Sequence, residues 1–245
     1  MDNMYQDGQY LANNPSWHEQ DSQKKAEWID SLLKAKAVVP QSVAEVGCGV
    51  AAILRELSKL HPQANLEGWD VSPQAVELAQ SRKKPGIEIH LGDILQAGRT
   101  WDLLLAIDVL EHMENPAEFL RESRQICAHA MIHLPLDLSV QTVARGWPLL
   151  DRRKNLGHVH LFTRGLARAL VEDNGWEIVA ERYTGGALEL PIASGLSNAF
   201  KNRILRLPRR LLFALAPHLA VRILGGWSIL LLCKPTRQAK GAPTT

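Results

Sequence analysis

Between residues 43 and 183 the chain alternates short apolar runs with polar segments of helical period. This alternation limits the possible folds more than any other feature. Residues 43–46 form a short β-branched run ending at a glycine turn. In the following segment Ile53, Leu57 and Leu60 recur at helical spacing until Pro62 stops them. A strand is predicted over 66–69. A helix follows, opened by Ser72 with Pro73 behind it, which gives a side-chain acceptor for free N–H groups and then a preset φ. Residues 87–91 read as a strand, and 103–110 as a central strand buried on both faces. Residues 116–127 read as a helix and 131–134 as another strand. Thr163 is expected to cap a helix over 164–174 that Gly175 ends, before a strand over 176–183. Such alternation implies βαβ units, a parallel sheet and right-handed crossovers. Ligands in such sheets sit beyond the carboxyl ends of the strands, where strand order reverses.

The residues at those ends are unusual. The first turn reads Glu45-Val46-Gly47-Cys48-Gly49-Val50-Ala51-Ala52. Its glycines allow close backbone approach to a ligand and φ values that other residues resist. Gly47, Gly49 and Ala52 also satisfy the permissive dinucleotide pattern, so the bend alone does not choose between ligands. Asp70 follows the next strand about twenty residues on, where a carboxylate can accept hydrogen bonds from ribose hydroxyls. Asp93 ends the third strand and Asp108 the fourth. One such acid is often a cap or a solvated loop residue; acids after four successive strands form a pattern.

In order and spacing, the stretch 43–134 resembles the class I S-adenosylmethionine-dependent methyltransferases, in the subgroup similar to ubiquinone-biosynthesis and small-molecule enzymes. The resemblance rests on the glycine bend with its preceding acid, Asp70-Val71-Ser72-Pro73, Gly92-Asp93, and Asp108-Val109-Leu110-Glu111-His112. Downstream, Gly157-His158-Val159-His160-Leu161-Phe162-Thr163 and Gly175-Trp176 are similar to the same subgroup. The resemblance implies an α/β fold: a doubly wound, mostly parallel seven-stranded Rossmann-like sheet with helices on both faces and an antiparallel last strand. It implies S-adenosyl-L-methionine as cofactor, S-adenosyl-L-homocysteine as product, and no metal. Glu45 would orient the cofactor's amino group, and the backbone of Gly47, Cys48 and Gly49 would pass its methionine portion. Asp70 would hold the ribose and Val71 would pack on the adenine. Asp93 and Ile94 would read the adenine edge, while Asp108 and Val109 would line the sulfonium end. Ala51 departs from a third glycine found in many members, which is tolerable if its backbone stays in an ordinary region.

The same glycine bend could serve a nucleotide-dependent oxidoreductase, but no Tyr-x-x-x-Lys pair is recognisable and the 108–112 signature matches that chemistry poorly. A catalytically silent protein of the same fold is a second alternative. For a transferase acting on oxygen or nitrogen, in preference to carbon, a general base near the methyl is useful, and histidine titrates in the right range. His112, in the loop after the fourth strand, is the first candidate and His133, at the end of the fifth, the second; a loop-fixing role is open for both. His158 and His160 would share one face of a strand, but two ligands without a clear third make a poor metal site. Tyr10, Trp17 and His18 are expected in a lid over the cofactor. The loop 137–157, with Trp147 and the cluster Arg152-Arg153-Lys154, is expected to gate the acceptor, with His158 beside it.

Charge is distributed unevenly. Residues 1–189 carry 19 Lys/Arg against 26 Asp/Glu, a net −7, whereas residues 190–245 carry 9 Lys/Arg and no acid. A one-sided basic region suits an anionic partner. Leu196, Phe200, Ile204, Leu207 and Leu211 fall on one helical stripe beside Lys201, Arg203, Arg206, Arg209 and Arg210. Residues 211–233 are apolar but broken by Pro217, His218, Arg222 and Gly225-Gly226, and 227–233 suit the last strand rather than a membrane span. The expected organisation is an N-terminal helical lid (1–37), the cofactor-binding core (38–190), a basic helical insertion (191–225), the final strand (226–234) and a disordered tail (235–245). The basic face over 196–222 is expected to be either solvated or resting on an anionic membrane; nucleic acid is not expected, since no RNA-binding motif is present. Three unmatched cysteines and the absence of a leader-like N-terminus fit a cytoplasmic protein, peripheral at the inner membrane face.

Overall fold

The computed structural model describes residues 19–82, 84–185 and 209–236. Tyr10, Trp17 and His18, the stripe from Leu196 to Leu207 and almost all of the expected tail lie outside the described residues.

Helix α1 (Glu19–Ala35) precedes β1 (Ser42–Val46), α2 (Ala52–Leu60), β2 (Asn65–Asp70), α3 (Pro73–Arg82), β3 (Ile87–Leu91), β4 (Trp101–Ile107), α4 (Pro116–Ser123) and β5 (Cys127–Pro135). Two short helices, α5 (Val140–Arg145) and α6 (Trp147–Asp151), lead to a π turn at Arg152–Leu156. Then come α7 (Arg164–Asp173), β6 (Trp176–Gly185), α8 (Pro217–Leu224) and β7 (Trp227–Pro235). The start signals act as read: Ser72 Oγ accepts from Ala75 N–H ahead of α3, and Thr163 Oγ accepts from Leu166 N–H ahead of α7.

The strands form one sheet in the order β3-β2-β1-β4-β5-β7-β6, reversing between β1 and β4. β1 to β5 are parallel, and β7 runs antiparallel to both β5 and β6. Because β7 is paired on both sides, its apolar run Ile229–Cys233 is an interior strand buried on both faces, which is why it could resemble a membrane segment in sequence. Register sets Val46 opposite both Trp69 and Ala106, Asp70 opposite Leu91, and Ile107 opposite His133. The strand tips therefore end at one level, and the residues after them share one edge of the sheet.

Side-chain alternation divides the core. Leu104 and Ala106 point to the face covered by α4, α7 and α8, where Leu120, Val171, Val221 and Trp176 are buried. Leu103 and Leu105 point to the face covered by α1, α2 and α3, where Ile29, Leu33, Leu54 and Val76 are buried. Helix α1, expected as part of a lid, is thus a core element: Ala26, Ile29 and Leu33 follow one helical face and are essentially inaccessible.

Three expectations need correction. The helix after Pro116 ends at Ser123, and β5 begins at Cys127 because pairing with Trp101 extends the strand back from the expected Met131. The segment 137–157 is helical rather than a loop: a reciprocal Ser139–Thr142 capping box starts α5. The segment 157–162 is irregular, so His158 and His160 do not share a strand face.

Candidate functional site

The bend after β1 is shaped by three left-handed residues: Gly47 (φ +61°), Gly49 (φ +53°) and Ala51 (φ +55°). At Gly47 a Cβ would lie 2.8 Å from Val109 Cγ2, so the bend sits directly against the segment just past the β4 tip. Cys48 is tucked under the bend, where a Cβ on Gly68 would meet its sulfur at 2.7 Å. Burial pushes its thiol well above the usual range, which makes Cys48 a packing residue rather than a nucleophile. Ala51 was expected to keep an ordinary backbone and does not. Its methyl is fully buried in a conformation that costs an L-residue about 1–2 kcal/mol, so the surrounding packing imposes it.

Asp70 ties the bend to the tip of β2. Gly49 N–H donates to one carboxylate oxygen and Ser72 N–H to the other, both at 2.8 Å. Burial raises its pKa against these backbone donors. Asp93 accepts from Leu95 N–H at 2.9 Å, capping a single 3-10 turn that begins at the buried Ile94. Val71 is exposed at the rim, and Glu45 is fully buried. Glu45 Oε2 has no hydrogen-bond partner, and burial, reinforced by Asp70 and opposed by Lys25, pushes its pKa to about 8.

These residues open into one cavity of about 1170 Å³. That exceeds the roughly 300–1,000 Å³ of a pocket for one small ligand and leaves room for two molecules. Nine Asp or Glu residues line it against two Lys or Arg residues, Lys25 and Arg153. A cavity of that sign favours a cationic ligand and disfavours a dinucleotide pyrophosphate.

Past β4 the wall changes character. Asp108 is left-handed (φ +56°) and its carboxylate accepts from Lys25 Nζ at 2.7 Å and His133 Nδ1 at 2.5 Å. Burial works against the Asp108 charge, but His133 and Lys25 prevail and hold its carboxyl well below the usual range. Asp108 is therefore ionised. His133 Nε2 lies 2.7 Å from Thr184 Oγ. With both ring nitrogens engaged, His133 positions Asp108 and offers no nitrogen as a base, contrary to its expected catalytic role. Lys25 and Thr184 carried no sequence signal, since they lie 83 and 51 residues from their partners.

His112 Nδ1 is 3.2 Å from the Gly157 carbonyl, and its ring meets His158 edge to face at 4.9 Å. Burial, followed by the neighbouring His158, lowers its pKa to about 4. That is too weak a base for proton transfer near neutrality. His158 Nδ1 lies 2.7 Å from Asp137, which also pairs with Arg152. His160 instead turns to the Met113 carbonyl at 2.9 Å. Glu111 is completely buried beside them. It stands within the Asp108–His112 motif with no sequence signal of its own, and Asp137 comes beside His158 only in the folded chain. Trp147, expected near the acceptor, is exposed beneath Arg145 and does not line the cavity.

Residues 17–181 match the family described as a methyltransferase domain. Among curated proteins, malonyl-[acyl-carrier protein] O-methyltransferase of Halalkalibacterium halodurans is 28% identical over 93 residues, covering 35% of this chain and 34% of that protein. Trans-aconitate 2-methyltransferase of Mycobacterium ulcerans is 30% identical over 108 residues, covering 42% and 38%. The chain thus spans little more than a third of the length of these relatives. Among solved structures, magnesium protoporphyrin IX methyltransferase of Synechocystis with bound SAH shares the fold at a TM-score of 0.58, with 17% identity over 87% of this chain and 83% of that one.

Proposed function

The chain belongs to the methyltransferase-domain family, and from that premise we propose that it is an S-adenosylmethionine-dependent methyltransferase acting on an oxygen or nitrogen atom of a small-molecule, glycan or lipid-linked acceptor. The observation that carries this reading is the acidic lining of the cavity: nine Asp or Glu residues against two Lys or Arg residues line the space into which the glycine bend opens, a setting suited to a cationic sulfonium. The residues present fit that cofactor. The partnerless Glu45 oxygen suits an ammonium group, and Gly47 leaves no room for a side chain where backbone must pass the ligand. Asp70 retains lone pairs for ribose hydroxyls after its two backbone bonds, and Asp93 and Ile94 flank the place for adenine. Asp108 and Val109 line the end nearest the acceptor.

The cofactor, when bound, supplies an activated methyl group on sulfur. The chain contributes orientation, exclusion of water and a fixed negative charge at Asp108 near that sulfur. His112 and His133 are placed to build the wall rather than to take a proton.

Isothermal titration with S-adenosylmethionine tests the reading. Wild type is expected to bind one equivalent and Asp70→Ala none; a wild-type chain that binds neither it nor S-adenosylhomocysteine overturns the proposal. A product screen with labelled cofactor then identifies the acceptor.

The partner surface is an anionic membrane, touched peripherally at the inner face. Among the described residues no helix is long and apolar enough to cross a membrane. Leu211, Leu215 and Leu219 are exposed near Arg210 and Arg222, the combination of apolar and basic side chains that rests on headgroups. Pelleting with anionic liposomes that weakens with salt is the expected result, and no pelleting sinks the assignment.

A further inference from the structure

Methyl transfer to a hydroxyl or an amine sets a proton free. Neither His133, with both ring nitrogens engaged, nor His112, with its lowered pKa, is suited to take it. His158, in the same cavity wall, differs from both. It is 8% exposed, and its Nδ1 lies 2.7 Å from Asp137 Oδ2. A carboxylate only accepts, so Nδ1 donates, and the neutral ring then carries its lone pair on Nε2. No donor or acceptor among the described residues engages that Nε2.

The pair is held from two sides. Asp137 is buried, its other oxygen pairs with Arg152, and its backbone carbonyl accepts from Thr142 Oγ at 2.7 Å, which ties it to the start of α5. The N–H groups of Val159 and His160 both donate to the Glu111 carbonyl, at 2.8 and 3.1 Å, and fix the 157–160 segment on the loop after β4. His158 thereby lines the cavity on the side of Asp108, at the acceptor end. The charged and titratable groups that face it are Asp137 and Arg152 from the segment after β5, and Glu111 and His112 from the loop after β4. A base oriented by a carboxylate through its far ring nitrogen, with the near one turned to an open cavity, is the arrangement that proton abstraction requires.

We propose that His158 is the general base of the transfer, oriented by Asp137, and that the acceptor presents a proton-bearing nucleophile, a hydroxyl or an amine. The inference rests on the methyltransferase reading above. As the acceptor oxygen or nitrogen bonds to the methyl carbon, the carbon–sulfur bond breaks and its electron pair stays on sulfur. The acceptor proton passes to His158 Nε2, and Asp137 holds the imidazolium until the proton is returned to water. A carboxylate acceptor brings no proton near neutrality and would leave the pair idle.

The full wild-type chain labelled with ¹⁵N-histidine gives the first test, by proton–nitrogen correlation spectroscopy. His158, assigned by its loss in His158→Asn, is expected as a neutral ring protonated on Nδ1 and bare on Nε2. A neutral ring protonated on Nε2 overturns the inference, whatever the variants do. Kinetics on the acceptor identified by the labelled-cofactor screen give the second test. His158→Asn keeps a donor towards Asp137 and removes the base, so kcat should fall about 10²- to 10⁴-fold. The rise of kcat with pH should vanish, while KM for the acceptor and S-adenosylhomocysteine affinity stay near wild type. Asp137→Asn no longer favours the imidazolium, so it should lower kcat and move the rise to lower pH. Loss of S-adenosylhomocysteine binding together with activity in His158→Asn, or an unchanged pH profile, would make His158 a packing residue and overturn the inference. So would a screen that returns only carboxyl methyl esters. A wild-type chain that shows the Nδ1–H ring but binds neither S-adenosylmethionine nor S-adenosylhomocysteine removes the methyltransferase reading, and the base with it; cofactor binding with the wrong ring form removes the base alone.

Discussion

The two ends of the cavity are built by different means. At the cofactor end, Asp70 bonds Gly49 and Ser72, and Asp93 bonds Leu95. These partners lie within about twenty residues, and the shape comes from backbone. At the acceptor end, Lys25 meets Asp108, His133 meets Thr184, and His158 meets Asp137. Here charged side chains from distant elements hold one another, with few backbone bonds. A site made from local backbone can be read from motif spacing; one made from long-range side-chain pairs cannot.

The sharpest test of this contrast is Asp70→Ala. It deletes the acceptor for two backbone N–H groups as well as the proposed ribose contact, so cofactor binding should vanish in titration calorimetry. Denaturant unfolding should also show a loss of about 1–3 kcal/mol for donors left unsatisfied. A variant that binds normally would mean that the β2 tip is not the ribose end.

Lys25→Met at the other end keeps the apolar stem but removes the cation that pairs with Asp108. Stability is expected to fall by about 1.5–3 kcal/mol, the range for a charged hydrogen bond, with cofactor affinity less affected than by Asp70→Ala. Equal losses of affinity in the two variants would erase the distinction between the ends.

Glu45 allows a pH test. Its folded pKa of about 8 lies above its ordinary 4.5, so the protonated form is favoured in the fold. That contribution to stability is complete below about 4.5 and is lost as pH rises towards 8, with a slope of at most about 1.4 kcal/mol per pH unit. A cofactor ammonium prefers the carboxylate, so binding should release a proton and tighten by up to about tenfold per unit between pH 6 and 8. Titrations in buffers of different ionisation heat measure the proton directly. Glu45→Gln should flatten the dependence, and an unchanged slope would assign it to another group.

The smallest effect is expected for Ala51→Gly. Relief of the left-handed strain, about 1–2 kcal/mol, is offset by a lost buried methyl, about 0.8 kcal/mol, and by added freedom of the unfolded chain. Thermal unfolding should change by no more than about 1 kcal/mol. A large loss would show that the methyl, not the bend geometry, holds α2 in place.

By itself the sequence determined the strand and helix succession, the glycine bend, and the acids at the strand tips, because each depends on periodicity or on residues close along the chain. Ser72 and Pro73, or Thr163 and Gly175, state their helix ends within a few positions. Only the tertiary structure decided that α1 joins the core, that β7 lies inside the sheet, and that His133 pairs with Asp108 while His158 faces His112 and Glu111. Those outcomes depend on which groups burial brings together. An imidazole or a carboxylate takes its role from the charge and donors around it, and these come from elements far away in the chain.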